Sequence, residues 1–112
     1  MKAKPVVPRE QAHRDVQDAV AYYLGEGSEA AALSFINALE KSCSHIGYHP
    51  ATGSPRYAHE LNLPGLRSWP LTRYPYLIFY VELADHVDIW RVLHCQRDIP
   101  AWMRETEESR SN

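Results

Sequence analysis

The strongest constraint on the fold of this chain of 112 residues is a pair of apolar runs, Tyr76-Leu-Ile-Phe-Tyr-Val-Glu-Leu83 and Val87-Asp-Ile-Trp-Arg-Val-Leu-His94. Both are rich in β-branched, aromatic and aliphatic residues, and only Ala84-Asp85-His86 lies between them. A strand sends successive side chains to opposite faces, so two such runs joined by a short connection predict a β-hairpin. In the first run Leu77, Phe79, Val81 and Leu83 share one face; Tyr76, Ile78, Tyr80 and Glu82 share the other. Arg91 and His94 interrupt the second run, and Arg97 follows in Cys95-Gln-Arg-Asp98. A half-buried polar group must find a partner or do a job. The hairpin therefore places cations and an imidazole at one end of a stiff sheet.

Helical periodicity dominates the first half. Ala12, Val16, Ala19, Val20, Tyr23 and Leu24 form one apolar stripe, predicting a helix from Pro8 or Arg9 to Leu24. Proline suits a first helical position, and Gly25 and Gly27 end the segment. Arg14 and Asp18, four apart, are placed to pair on the outer side. Ser28 is the expected N-cap of a second helix, with Glu29 in its first turn. Ala32, Phe35, Ile36, Leu39, Cys43 and Ile46 give its buried face, and Gly47 fits the position just past its end. Two stripes joined by Gly-Glu-Gly predict an antiparallel helical hairpin.

The remaining segments are less regular. Residues 2–7 read as a short strand, confined to a sheet edge because Pro5 cannot donate to a ladder. Residues 48–64 hold Pro50, Gly53, Pro55 and Pro64 and read as a long irregular connection, the kind that often carries function. Residues 65–71 read as a strand that sends Leu66 and Arg67 opposite ways. Residues 99–103 are expected to fold back onto the body and residues 104–112 to fray. The chain thus reads as one α+β domain over residues 1–103 with a charged tail, two helices covering one face of an antiparallel sheet.

Composition excludes several classes. The net charge is −2, and residues 1–65 and 66–112 each carry six basic and seven acidic residues. Such a balance argues against a protein that grips nucleic acid by bulk charge. No run of about 18 apolar residues marks a membrane span, and the N-terminus lacks an apolar signal core, so the expected location is the cytosol. Cys43 and Cys95 form no CxxC motif and are expected to be reduced and buried. His45, His49 and His59 do not add up to a zinc set, since Gly47 breaks the helix between the first two. No phosphate loop or nucleophile motif is present, and no cofactor is expected.

The residues left for chemistry are cationic. Arg67, Arg73, Arg91 and Arg97 carry guanidinium groups suited to phosphate or carboxylate. Their structural alternative is internal pairing with Glu82, Asp88 or Asp98. Arg91 is the best anchor, since its strand is otherwise apolar, and a buried ion pair is its main competitor. His94 is the one histidine in a strand beside arginines, able in principle to act as general acid or base. Trp102, beyond the last strand, can seal the core or anchor a partner.

The run Tyr76–Val81, then V-D-I-W-R-V-L-H, then Arg97-Asp98, resembles the ParE (plasmid-stabilisation) branch of the ParE/RelE toxin superfamily. Ala12, Asp15 and Val16, Tyr22-Tyr23, Phe35-Ile36, Pro50 and Gly53, and Leu66-Arg67 follow the same order, so the resemblance spans residues 6–98. It implies an N-terminal strand and helical hairpin packed on an antiparallel sheet. It also implies a toxin of a type II toxin–antitoxin pair that inhibits DNA gyrase by binding, trapping the cleaved DNA complex without itself being a catalyst. The implied partner is a ParD-like antitoxin with a ribbon-helix-helix DNA-binding part and a wrapping tail. Target binding is then expected on Arg67, Arg73, Arg91, His94, Arg97 and Trp102. One alternative is a RelE-like ribosome-dependent mRNA endoribonuclease using His94 and Arg97, with Tyr74 and Tyr76 in support. The absence of lysine after Lys41 counts against it. The other is an inactive antitoxin-binding module.

Overall fold

The computed structural model describes residues 3–95 together with Ile99, Ala101 and Met103. Arg97, Asp98, Trp102 and the tail 104–112, for which the sequence sets expectations, lie outside the described residues. The chain runs β1 (Val6–Pro8), α1 (Glu10–Gly25), α2 (Glu29–Tyr48), a 3₁₀ turn (Pro50–Thr52), α3 (Arg56–Leu61), β2 (Leu66–Pro70), β3 (Tyr76–Glu82) and β4 (Val87–His94).

The helices form where the apolar stripes repeat. The Ser28 hydroxyl accepts from the Ala31 N–H at 3.0 Å, capping α2 as its position predicts. Phe35 and Ile46 are fully buried, and Ile36, Leu39 and Cys43 pack beside them. Two details of the stripe reading change. Leu24 is 50% exposed, and Arg14 pairs back to Glu10 at 2.9 Å rather than forward to Asp18.

Gly47 does not end α2. It lies inside the helix, where a Cβ would stand 2.9 Å from the Lys4 carbonyl oxygen. The Lys4 N–H donates to the Gly47 carbonyl at 3.0 Å. Glycine is present because the incoming N-terminal strand crosses the helix at backbone contact, a requirement that looks like a cap signal in sequence.

The sheet order is β1-β4-β3-β2. β2, β3 and β4 form the antiparallel meander read from the hairpin, and β1 adds at the edge parallel to β4, making the sheet mixed. Phe79 pairs with Arg91 and Tyr80 with Ile89, so the register shifts by one residue and Trp90 is the extra residue of a bulge. A bulge breaks the two-residue alternation. Ile89 and Val92, three apart, therefore both enter the core beneath the helices, while Trp90 and Leu93 enter the opposite one.

Both faces of the sheet are thus covered. Tyr76, Ile78, Tyr80, Val87, Ile89 and Val92 pack under the α1–α2 hairpin. Leu66, Phe79, Trp90 and Leu93 pack on the other face with Leu63, Ile99 and Met103. The expected fold-back of 99–103 therefore holds for Ile99 and Met103. The second cover is completed by α3, from which Tyr57, Ala58 and Leu61 pack inward. The irregular connection expected over residues 48–64 thus contains a short helix. Its six residues, flanked by Pro55 and Pro64, are too short to show helical periodicity.

Candidate functional site

The cationic residues singled out in sequence separate into three environments. Arg91 is structural in position. Its Nε and Nη2 donate to Asp15 Oδ2 and Oδ1, each at 2.8 Å, and the Val92 N–H donates to Asp15 Oδ2 at 2.9 Å. The side chains are 6% and 10% exposed. The expected partners were Glu82, Asp88 or Asp98. Glu82 instead accepts from Lys4 at 2.7 Å, and Asp88 is taken by Arg9.

That second pairing forms a small cluster near the β1 edge. Arg9 grips Asp88 through Nε at 3.1 Å and Nη2 at 2.7 Å. Trp90 Nε1 donates to Asp88 Oδ2 at 3.0 Å, and the Arg9 guanidinium lies 4.5 Å over the Trp90 ring. Charge-assisted bonds and cation–π stacking together hold β1 to β4.

Arg67 holds a loop. Its Nη1 donates to the Gly53 carbonyl at 2.8 Å. The Tyr80 hydroxyl accepts from the Gly53 N–H at 3.0 Å and donates to the Pro50 carbonyl at 2.7 Å. Ser54 and Ser68 exchange backbone hydrogen bonds beside them. A Cβ at Gly53 would overlap the Tyr80 hydroxyl, so only glycine lets the loop close there. Burial raises the Tyr80 pKa; the Gly53 N–H and the Arg67 charge oppose this. The hydroxyl is thereby kept protonated, as its bond to Pro50 requires.

His94 sits at the far end of β4, edge-on to Tyr76 with ring centroids 5.1 Å apart. It lines a groove of about 430 Å³ with Asp15, Asp18, Ala19, Tyr22, Tyr23, Pro75, Tyr76, Val92 and Leu93. Arg67 lines a separate cleft beside α3, with His59, Asn62 and Gly65. The described candidates therefore do not converge on one phosphate-sized site. Arg73 stands apart from both, exposed on the β2–β3 connection.

Other side chains also find places that sequence did not show. His45 stacks on Trp69 at 4.5 Å, and its Nε2 lies 3.3 Å from Thr52 Oγ1, which donates to the His49 carbonyl at 2.8 Å. Both cysteines were expected to be buried, but Cys95 is exposed where β4 ends. Burial, with the Glu40 charge second, pushes the Cys43 thiol up to about 11. Asp15 carried a visible signal: a carboxylate set among Ala12, Val16 and Ala19, on the side of α1 that packs inward.

The order of elements, the sheet and the covering hairpin define an α+β protein of the ParE/RelE type. The family described as ParE toxin of type II toxin-antitoxin system, parDE, matches residues 6–99. A chain from a solved chromosomal ParDE TA system of P. aeruginosa superposes with TM-score 0.69 at 16% identity, covering 82% of this chain and 96% of that one. No curated protein sequence is matched. The chain belongs to the ParE toxin family of type II toxin–antitoxin systems, and a toxin of such a pair has an antitoxin partner. Among the described residues no helix is long and apolar enough to cross a membrane.

Proposed function

We propose that this ParE-family protein acts in the cytosol by binding DNA gyrase, trapping the cleaved DNA complex and blocking replication, with no bond made or broken by the toxin itself. The observation that supports binding over RNA cleavage is the engagement of the arginines. A ribonuclease of the RelE type needs several cations around one phosphate. Here Arg91 is closed by Asp15 and Arg67 holds Gly53, while His94 lines a different groove. A net charge of −2 is also poorly suited to gripping RNA directly.

The antitoxin is proposed to be ParD-like, with a ribbon-helix-helix part that reads DNA and a tail that wraps the toxin. Target contact is proposed to fall on the outward cations and on the end of the chain that holds His94, Arg97 and Trp102. Arg67 and Arg91 serve that surface by fixing its frame. The test sets a gyrase supercoiling assay beside ribosome toeprinting with the same purified toxin. Loss of supercoiling with no new mRNA cleavage supports the proposal. Codon-position cleavage that His94→Ala stops would establish the ribonuclease. No effect in either assay, with the antitoxin still bound, would mark an inactive binding module.

A further inference from the structure

The connection between β2 and β3 turns the chain between two fixed points. Leu71 is buried at 5% exposure, and its N–H donates to the Tyr76 carbonyl at 3.0 Å. The Tyr74 hydroxyl donates to the Ala31 carbonyl at 3.3 Å, and its ring meets Tyr23 and Phe35 edge-on, both at 5.5 Å. The Tyr76 N–H closes the turn on the Tyr74 carbonyl at 2.8 Å. Between the pinned residues, Thr72 and Arg73 are exposed.

Arg73 has φ of 73°. The left-handed region costs an L-residue roughly 1–2 kcal/mol, and glycine is its default occupant. Strain of this kind persists where the surroundings over-determine the backbone, and it concentrates at functional positions. The Arg73 side chain is exposed. Every other described arginine has an internal partner: Arg9 with Asp88, Arg14 with Glu10, Arg56 with Glu60, Arg67 with Gly53, Arg91 with Asp15. Arg73 alone among them makes no hydrogen bond or ion pair.

Its neighbourhood has the composition of a protein contact. The turn packs on the tip of the helical hairpin, where Tyr22 is 58% exposed and stacks edge-on with Tyr23 at 5.3 Å. Tyr22 and Pro75, two residues beyond Arg73, line the same groove. Exposed arginine and tyrosine side chains held on a rigid frame are the usual anchors of protein interfaces.

We infer that Arg73 is a target-contact residue whose guanidinium receives a carboxylate on the gyrase surface. This rests on the gyrase reading above and names the chemistry of its contact. A carboxylate is favoured over DNA phosphate because the chain is net negative. A polyanionic backbone meets that field along its length; a single carboxylate meets the guanidinium.

The experiment compares the full-length toxin with Arg73→Gly and Arg73→Ala, measuring melting temperature, gyrase inhibition, antitoxin affinity and binding to bare duplex DNA. Arg73→Gly relieves the backbone while Arg73→Ala keeps it strained, so the glycine variant is expected to melt at or above the wild-type temperature and above the alanine variant. Both are expected to lose tenfold or more in inhibitory potency, about the effect of removing an interface anchor. Antitoxin affinity is expected to stay unchanged. Full potency in both variants, loss confined to the less stable variant, or an equal loss of antitoxin affinity would overturn the inference. Bare-DNA binding that falls with Arg73→Ala would assign phosphate instead. A wild-type toxin without effect on gyrase would fail the underlying reading before any variant is compared.

Discussion

The Asp15 carboxylate and the Arg91 guanidinium meet face to face between α1 and β4, with two bonds of 2.8 Å. The bulge at Trp90 lies immediately before Arg91, and the Val92 N–H shares the same carboxylate. One acid therefore positions a helix, a bulge and a strand.

Removing either partner strands the other in a poorly hydrated site. Arg91→Ala and Asp15→Ala are each expected to cost about 3–5 kcal/mol. The double variant should cost clearly less than their sum, because the second removal relieves the group the first left unpaired. Chemical denaturation of the wild type and three variants measures the coupling. Additive losses, or a loss below about 1 kcal/mol for Arg91→Ala, as is usual for exposed pairs, would show that the pair does not fix this interface.

Tyr80 and Gly53 give a second coupled pair. Tyr80→Phe leaves the Gly53 N–H and the Pro50 carbonyl without their partner, at roughly 1–3 kcal/mol. Gly53→Ala is expected to be worse, since its methyl meets the hydroxyl. In the double variant the hydroxyl is gone, so the alanine should cost less there than in the wild type. An alanine equally costly in both backgrounds would mean that the clash lies elsewhere along the loop.

Much of this fold was legible because local pattern and tertiary role agree. The β3–β4 hairpin and the Ser28 cap follow from alternation and capping chemistry, and no distant residue is needed to see them. The misses share a cause: they depend on contacts between segments far apart in sequence. Gly47 looks like a helix end but makes room for Lys4. α3 hides among prolines. The pairing of Arg91 with Asp15 joins residues 76 apart in sequence. Parallel addition of β1 to β4 leaves no local mark. In the candidate site the residue types were visible, but their grouping was not, because the bulge and the loop anchored by Arg67 send them to separate clefts.

The two cysteines should react very differently. Cys95 is exposed, whereas the Cys43 thiol is partly buried and pushed up to about 11. Iodoacetamide at pH 8 is expected to modify one thiol rapidly and the second only on unfolding. The raised Cys43 value also has a stability consequence. Folding favours the neutral thiol, so its contribution is complete below the unfolded value of 9.0 and is lost as pH rises toward about 11. Cys43→Ala should flatten that part of the stability–pH curve. An unchanged slope, or two equally fast thiols in the native protein, would contradict the burial of Cys43.

Inhibition by binding is tested most directly by incubating the purified toxin with gyrase and supercoiled plasmid, then denaturing the protein and resolving the DNA. A trapped cleavage complex predicts linear DNA that accumulates with toxin concentration, requires gyrase, and disappears when the antitoxin is supplied first. Plasmid that stays intact at every toxin concentration, while gyrase alone supercoils normally, would contradict it.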